Sequence, residues 1–221
     1  MAKKTAYDMA DWLGYLTREE VDIVKKLAKE IEGKNPVIVN IGAGAGTSGL
    51  AFAEARPDAD LYTIDISKGG PLGGLLSERN AFKDADRMLP TQILGDSKAV
   101  GKEWKLKVDL LFIDGDHSAV GVRGDIESWL QHVKVGGVVI FHDYHEKKWG
   151  DVEKVVDELL SGYPDIAEVG RIKAFKNLAP KKEVVDTPVV ETPVKKTTTR
   201  TRKPTAKKTT TRTRKATPKV D

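Results

Sequence analysis

No cysteine occurs anywhere in this chain, which excludes disulfides, thiolate metal sites and a cysteine nucleophile. No run of eighteen or more apolar residues occurs either, so no membrane-spanning helix is expected. The first residues, "MAKKTAYDMADWLGYL", start basic, but Asp8 and Asp11 interrupt them and a secretory leader is not expected. These absences fit a cytoplasmic protein. What is present suffices for a core. Of the 221 residues, 39% are hydrophobic, enough for one domain of moderate size and an appendage.

Charge separates the two. Residues 181–221 hold 13 of the 37 basic residues but only 4 of the 33 acidic ones. The remainder is therefore acidic, with 24 basic and 29 acidic residues. "KKTTTRTRK" stands at 195–203 and again at 207–215, in a segment without aromatics. Such a segment cannot offset its chain entropy by burial, and a disordered basic tail is expected. It offers salt-sensitive contacts to nucleic acid or another polyanion, or serves as a solubilising extension. The expected organisation is an N-terminal helical segment over 1–34, a domain over 35–180 and the tail over 181–221.

Within the domain, helical and extended periods alternate. Helices are expected over 17–32, 48–55, 75–89, 121–133 and 151–160, the first opening with a capping box at Thr17 and Glu20. Strands are expected over 36–42, 61–65, 92–94, 108–114 and 136–143. A terminal hairpin over 166–177 turns near Gly170 and Arg171. The alternation predicts an α/β fold, a largely parallel sheet with helices on both faces. Ligands of such folds collect beyond the carboxyl ends of the strands.

Those strand ends carry polar chemistry. "NIGAGAGTSG" follows the first strand, and Gly42, Gly44 and Gly46 permit a tight turn and close approach of a ligand. Thr47 stands where a dinucleotide fingerprint has its third glycine, which favours a smaller nucleoside over NAD. The second strand ends in Asp65, a carboxylate placed to accept two ribose hydroxyls or to cap a helix. The third ends in Asp96 and Ser97, suited to an adenine amino group or to capping the next helix. "SKGGPLGG" at 67–74 reads as a lid or a plain connector.

The order "VIVNIGAGAGTSG", "LYTID", "ILGDS", "VDLLFIDGDHSAVGVRGDIESWLQHVKVGGVVIFHDY" resembles the class I S-adenosylmethionine-dependent methyltransferases. The nearest branch is methyltransferase family 24, which contains small-molecule and sugar O-methyltransferases. The resemblance covers about residues 35–160. It implies a Rossmann-like sheet of seven strands, mostly parallel with the last antiparallel. It also implies S-adenosylmethionine as cofactor, with Gly42, Ala43, Gly44, Gly46 and Thr47 under its methionine part. Asp65 and Ile66 would hold the ribose, Asp96 and Ser97 would lie by the adenine, and Asp114 would sit near the methyl group and the substrate.

Two clusters then fall on neighbouring strand ends: Asp114, Asp116 and His117, and His142, Asp143 and His145. Related O-methyltransferases bind a divalent ion through an aspartate after the fourth strand and an acidic or amide pair after the fifth. Asp114 and Asp143 match two of these positions. His142 and Tyr144 flank Asp143 where the pair is expected, so His142 is the third candidate ligand. Mg²⁺ suits an oxygen set, and a histidine shifts preference toward Mn²⁺, Fe²⁺ or Zn²⁺. Without a metal, His117 or His142 would act as general base, with Asp114 orienting the substrate. His132 and Trp129 read as structural, and Asp125 as a charge on a helix face. Trp12 and Tyr15 suit a cap over the substrate or a contact between copies.

The resulting expectation is an O-methyltransferase acting on a small molecule or glycan. The alternatives are a nucleic-acid-associated methyltransferase and a non-catalytic polyanion-binding protein that uses the tail. Lack of cysteine closes the covalent route to carbon-5 of cytosine, and "IDGDHS" is not the Asn/Asp-Pro-Pro-aromatic loop of amino-group methylases.

Overall fold

Alternation inside the apolar runs decides which face each side chain covers. In β1 (Val37–Ile41), Ile38 lies on one side of the sheet and Val39 and Ile41 on the other. In β4 (Val108–Ile113), Leu110 and Phe112 join Ile38, while Leu111 and Ile113 join Val39. β5 (Val133–Phe141) continues the pattern, with Val138 and Ile140 opposed to Val139 and Phe141. Both sets are buried, which is why these strands read as continuous hydrophobic runs rather than as an alternating pattern.

The computed structural model describes residues 3–69 and 73–178. The remaining strands are β2 (Asp60–Asp65), β3 (Thr91–Leu94), β6 (Asp165–Val169) and β7 (Ile172–Lys176). They form one seven-stranded sheet in the order β3-β2-β1-β4-β5-β7-β6. β1 to β5 pair in parallel, whereas β7 runs antiparallel to both β5 and β6. The chain leaves β1 toward β2 on one side and later returns to place β4 on the other. That reversal opens a crevice at the carboxyl ends of β1 and β4.

Helices α1 (Ala6–Leu13), α2 (Arg18–Lys29), α3 (Thr47–Ala55) and α4 (Leu75–Asp84) cover the Ile38 face. Helices α5 (Ser97–Glu103), α6 (Ala119–Trp129) and α7 (Gly150–Leu160) cover the other. The capping box at Thr17 and Glu20 forms in both directions. A second one, Thr5 with Asp8, opens α1, an element the periodicity did not delimit.

Several expectations are corrected. The 75–89 pattern stops at Asp84, and Asp86 takes a positive φ of 53° that ends any helix. The 121–133 pattern divides: α6 ends at Trp129, a single 3-10 turn spans Leu130–His132, and Val133 already belongs to β5. The 17–32 pattern ends at Lys29. Asp96, not Ser97, caps α5, accepting from the Lys98 backbone N–H at 3.0 Å. Asp125 is not on an exposed face; it is 1% exposed and accepts the Ser97 hydroxyl at 2.5 Å. Its second oxygen has no partner among the described residues, and burial pushes its carboxyl up to about 6 against the Ser97 bond. The expected disorder and polyanion contacts of 181–221 lie outside the described residues, as does the centre of the 67–74 connector. No helix among the described residues is long and apolar enough to cross a membrane.

A buried carboxyl behind the glycine loop sets a pH dependence of stability. Glu78 of α4 is fully buried, accepting from Thr63 and Gln92 side chains at 2.8 Å each. Burial pushes it up to about 7, against those two hydrogen bonds. A folded value above the unfolded one favours the protonated state. Its contribution is therefore complete below pH 4.5 and is lost as pH rises to 7. Glu78→Gln is expected to gain about 1–3 kcal/mol over the native chain at pH 8 and nothing at pH 4.5. Urea midpoints at the two pH values measure this; parallel pH profiles for both proteins would refute it.

Candidate functional site

The loop after β1 closes directly on the end of β4. Gly42 has φ +91°, and its backbone N–H donates to the Ile64 carbonyl at 2.8 Å. A Cβ at Gly42 would stand 2.0 Å from the Asp114 carbonyl oxygen, so only glycine allows this approach. Next, the Ala43 N–H donates to Asp65 Oδ2 at 2.9 Å, tying the loop to the end of β2. Asp65 Oδ1 accepts the Ser67 N–H at 2.7 Å. Each Asp65 oxygen keeps a lone pair for a further donor.

Two cavities flank this loop. The first, about 450 Å³, is lined by Gly42, Gly44, Asp65, Ile66, Asp96, Ser97 and Asp114 among others. The second, about 350 Å³, adds Ala43, Thr47, His117, His142 and Asp143. Gly42, Gly44 and Asp114 line both. Nearly every residue expected to bind cofactor therefore borders one cavity or the other. Gly46 borders neither; with φ +93° it begins α3, and its Cα packs on α4, where a Cβ would stand 2.8 Å from Glu78 Cα. Thr47 is buried, and its hydroxyl has no partner among the described residues.

Around Asp114 the charged groups interlock. His117 Nε2 lies 3.3 Å from Asp114 Oδ1 and 2.9 Å from Asp143 Oδ2. His142 Nδ1 faces the same two carboxylates, at 3.3 and 3.4 Å, and its Nε2 faces Glu20 at 3.4 Å. Local structure aims these side chains. Asp116 accepts the Ser118 N–H at 3.0 Å, and Ser118 caps α6, so the turn presents His117 inward. Trp149 stacks on His117 with centroids 4.8 Å apart. Asp143 is held at φ 56°, an uncommon backbone state for a residue with a Cβ. His145 turns outward to Glu153 and Glu168, and His132 reaches the Gly101 carbonyl at 2.8 Å, so neither joins the cluster.

Asp114, His117 and Asp143 each present one ligand atom, all within 4.8 Å of one another. Burial pushes the Asp114 carboxyl up, but the His142 charge and the bonds from His117 and His142 hold it below the usual carboxylate range. Asp143 follows the same pattern, its burial outweighed by His117 and His142. The two aspartates lift His117 to about 9. His142 is lifted too: its burial opposes the charge, and Asp114, Asp143 and Glu20 outweigh it. Both imidazoles thus carry a proton at neutral pH in this arrangement, a state that donates and does not accept.

Sequence reasoning did not find Glu20, Arg171, Lys148 or Trp149. Arg171 donates to Asp143 at 3.2 Å, and with Lys148 and Trp149 it lines the second cavity. Its only signal was its position at the hairpin tip. Tyr15 also lines that cavity, in keeping with the substrate-side option for the N-terminal segment.

Comparison with known proteins agrees with this fold. A protein of Klebsiella pneumoniae assigned as an O-methyltransferase superposes with a TM-score of 0.63 at 16% identity, over 79% of this chain and 88% of its own. The O-methyltransferase NovP gives 0.58 at 14% identity, over 74% and 81%. A Streptococcus mutans protein assigned as a methyltransferase and bound to SAH gives 0.56 at 13%, over 74% and 99%. At these identities the likeness shows the fold. Uncharacterized protein R132 of Acanthamoeba polyphaga mimivirus is 35% identical over 60 residues, which span 25% of this chain and 27% of that protein. Residues 39–144 match the model of a methyltransferase domain, the family-24 domain that the sequence resembles.

Proposed function

We propose that this chain is an S-adenosylmethionine-dependent O-methyltransferase acting on a hydroxyl of a small molecule or glycan, with a divalent ion at Asp114, His117 and Asp143. The observation that carries this reading is the pair of cavities meeting at Asp114. The residues fit both groups. Asp65 has lone pairs for ribose hydroxyls, and Thr47 has a buried hydroxyl in need of a partner. Two carboxylates and an imidazole suit Mn²⁺, Fe²⁺ or Zn²⁺ better than Mg²⁺. His117 completes the set with Asp114 and Asp143, while His142 faces both aspartates through Nδ1 and Glu20 through Nε2.

When bound, S-adenosylmethionine supplies the methyl group and the ion lowers the pKa of an acceptor hydroxyl. The protein's own residues do the rest. Asp65 binds the ribose end, and Asp96 and Ser97 border the adenine end. Asp114 stands at the junction and orients the acceptor against the methyl donor. Trp149 fixes the His117 ring by stacking, and Leu16, Tyr15 and Trp149 narrow water access on the acceptor side. With a divalent ion bound, His117 would give up its proton to ligate it, and so would serve as a ligand and not as the general base. The basic segment 181–221 adds a contact for nucleic acid or another polyanion. A salt titration of DNA binding with and without it tests that addition, and equal affinity of both proteins removes it.

Calorimetry with S-adenosylmethionine tests the central claim. Binding is expected, with affinity reduced at least about tenfold in Asp65→Ala, roughly 1.4 kcal/mol for the ribose contacts. A silent titration of the native chain would reject any methyltransferase reading.

A further inference from the structure

Glu20 lies outside residues 39–144, in α2, yet it is fully buried beside the reaction cavity. A buried carboxylate is costly unless its oxygens are paired. Here the partners come from the opposite end of the chain. Oε1 accepts the Arg171 backbone N–H at 2.8 Å and its Nε at 3.2 Å. Oε2 accepts Arg171 Nη2 at 3.1 Å and the Thr17 N–H at 2.8 Å, and faces His142 Nε2 at 3.4 Å. Gly170 makes the approach possible: a Cβ there would stand 2.8 Å from Oε1, and its φ is +58°.

Both partners continue to the same place. Arg171 Nη1 donates to Asp143 Oδ1 at 3.2 Å, and His142 Nδ1 lies 3.3 Å from Asp114 Oδ1 and 3.4 Å from Asp143 Oδ2. Arg171 Nη2 also donates to the Tyr15 carbonyl at 2.7 Å, so the same clasp holds the cavity wall.

We infer that Glu20 is a positioning residue for the ion site: it anchors His142 and Arg171, and through them sets the orientation and net charge of Asp114 and Asp143. The inference rests on the divalent-ion reading above. With Glu20 in place, His142 and Arg171 divide their hydrogen bonds and charge between it and the two aspartates. Without it, both turn wholly onto the aspartates and compete with a divalent cation there. Partners that orient metal ligands act in this way in general.

The test is Mn²⁺ titration of the full chain, followed by electron paramagnetic resonance, beside calorimetry with S-adenosylhomocysteine. Glu20→Gln keeps the size of the side chain and its capacity for the capping box. Its Mn²⁺ dissociation constant is expected to rise about 10–100-fold, with S-adenosylhomocysteine affinity unchanged. Arg171→Lys keeps the charge but cannot bridge Glu20 and Asp143 at once. It is expected to weaken Mn²⁺ in the same direction, and it serves if Glu20→Gln does not fold. Native Mn²⁺ affinity in either folded variant overturns the inference. So does a loss of both ligands in step with the melting temperature, which would make Glu20 structural only. Native protein that binds S-adenosylhomocysteine but no Mn²⁺ would instead sink the ion site itself, and the inference with it.

Discussion

Asp114→Asn is expected to lower kcat/KM on the order of a thousandfold, about 4 kcal/mol of barrier. The side chain keeps its size, so the loss is chemical. Among the described residues Asp114 is the only titratable one that lines both cavities, and its carboxylate faces both His117 and His142. The amide removes a negative charge from between two imidazoles and leaves a poorer ligand for a cation. S-adenosylhomocysteine affinity should fall far less than turnover. The assay is radiolabelled methyl transfer to an acceptor found by screening small-molecule fractions of a cell lysate. Asp116→Asn is the control. Asp116 borders the first cavity and shapes the turn by accepting the Ser118 N–H, which the side-chain oxygen of asparagine also accepts, so its change should cost far less. Native turnover in Asp114→Asn, or an equal loss in Asp116→Asn, would count decisively against the assignment.

Gly42→Ala is expected to destabilise the fold by about 2–5 kcal/mol, combining a disfavoured backbone state with overpacking. The new methyl carbon would meet the Asp114 carbonyl oxygen at 2.0 Å and its carbon at 2.8 Å. Both are backbone atoms of a neighbouring strand end. Relief requires moving β1 away from β4, which also opens the junction of the two cavities. Whatever folds should therefore bind S-adenosylhomocysteine poorly. Gly44→Ala separates the two causes. Gly44 also has positive φ, +48°, but nothing lies within 4 Å of its added Cβ. It should cost only about 1 kcal/mol. Thermal melts of the two variants measure this; equal melting temperatures would show that the contact with Asp114 is not limiting.

Much of the fold was legible because its signals are local. Burial on both faces of a parallel sheet leaves short apolar runs, and each run in the sequence corresponds to a strand of the structure. Glycines and aspartates at the strand ends are visible for the same reason: the turn, its φ requirement and the ligand-facing carboxylate lie within a few residues. Asp65, Asp96 and Asp114 are all of this kind. Helix ends were less legible. α4 stops at Asp84 although the apolar spacing runs on, and Val133 leaves a helical pattern to begin β5. In both places sheet pairing or a backbone reversal overrides propensity.

The sequence by itself determined the alternation of strands and helices, the glycine turn, and the aspartates that end the second, third and fourth strands. Tertiary structure alone decided how the two histidines share Asp114 and Asp143. His117 and His142 are equivalent in the sequence, each beside an aspartate after an apolar strand. Only the folded chain turns His142 Nε2 toward Glu20, 122 residues away, and leaves His117 between Asp114 and Asp143. Only the folded chain brings Arg171 back 151 residues to Glu20. Periodicity records what a residue's near neighbours require. Pairings at such separations follow from strand order and hairpin placement, and no local pattern encodes them.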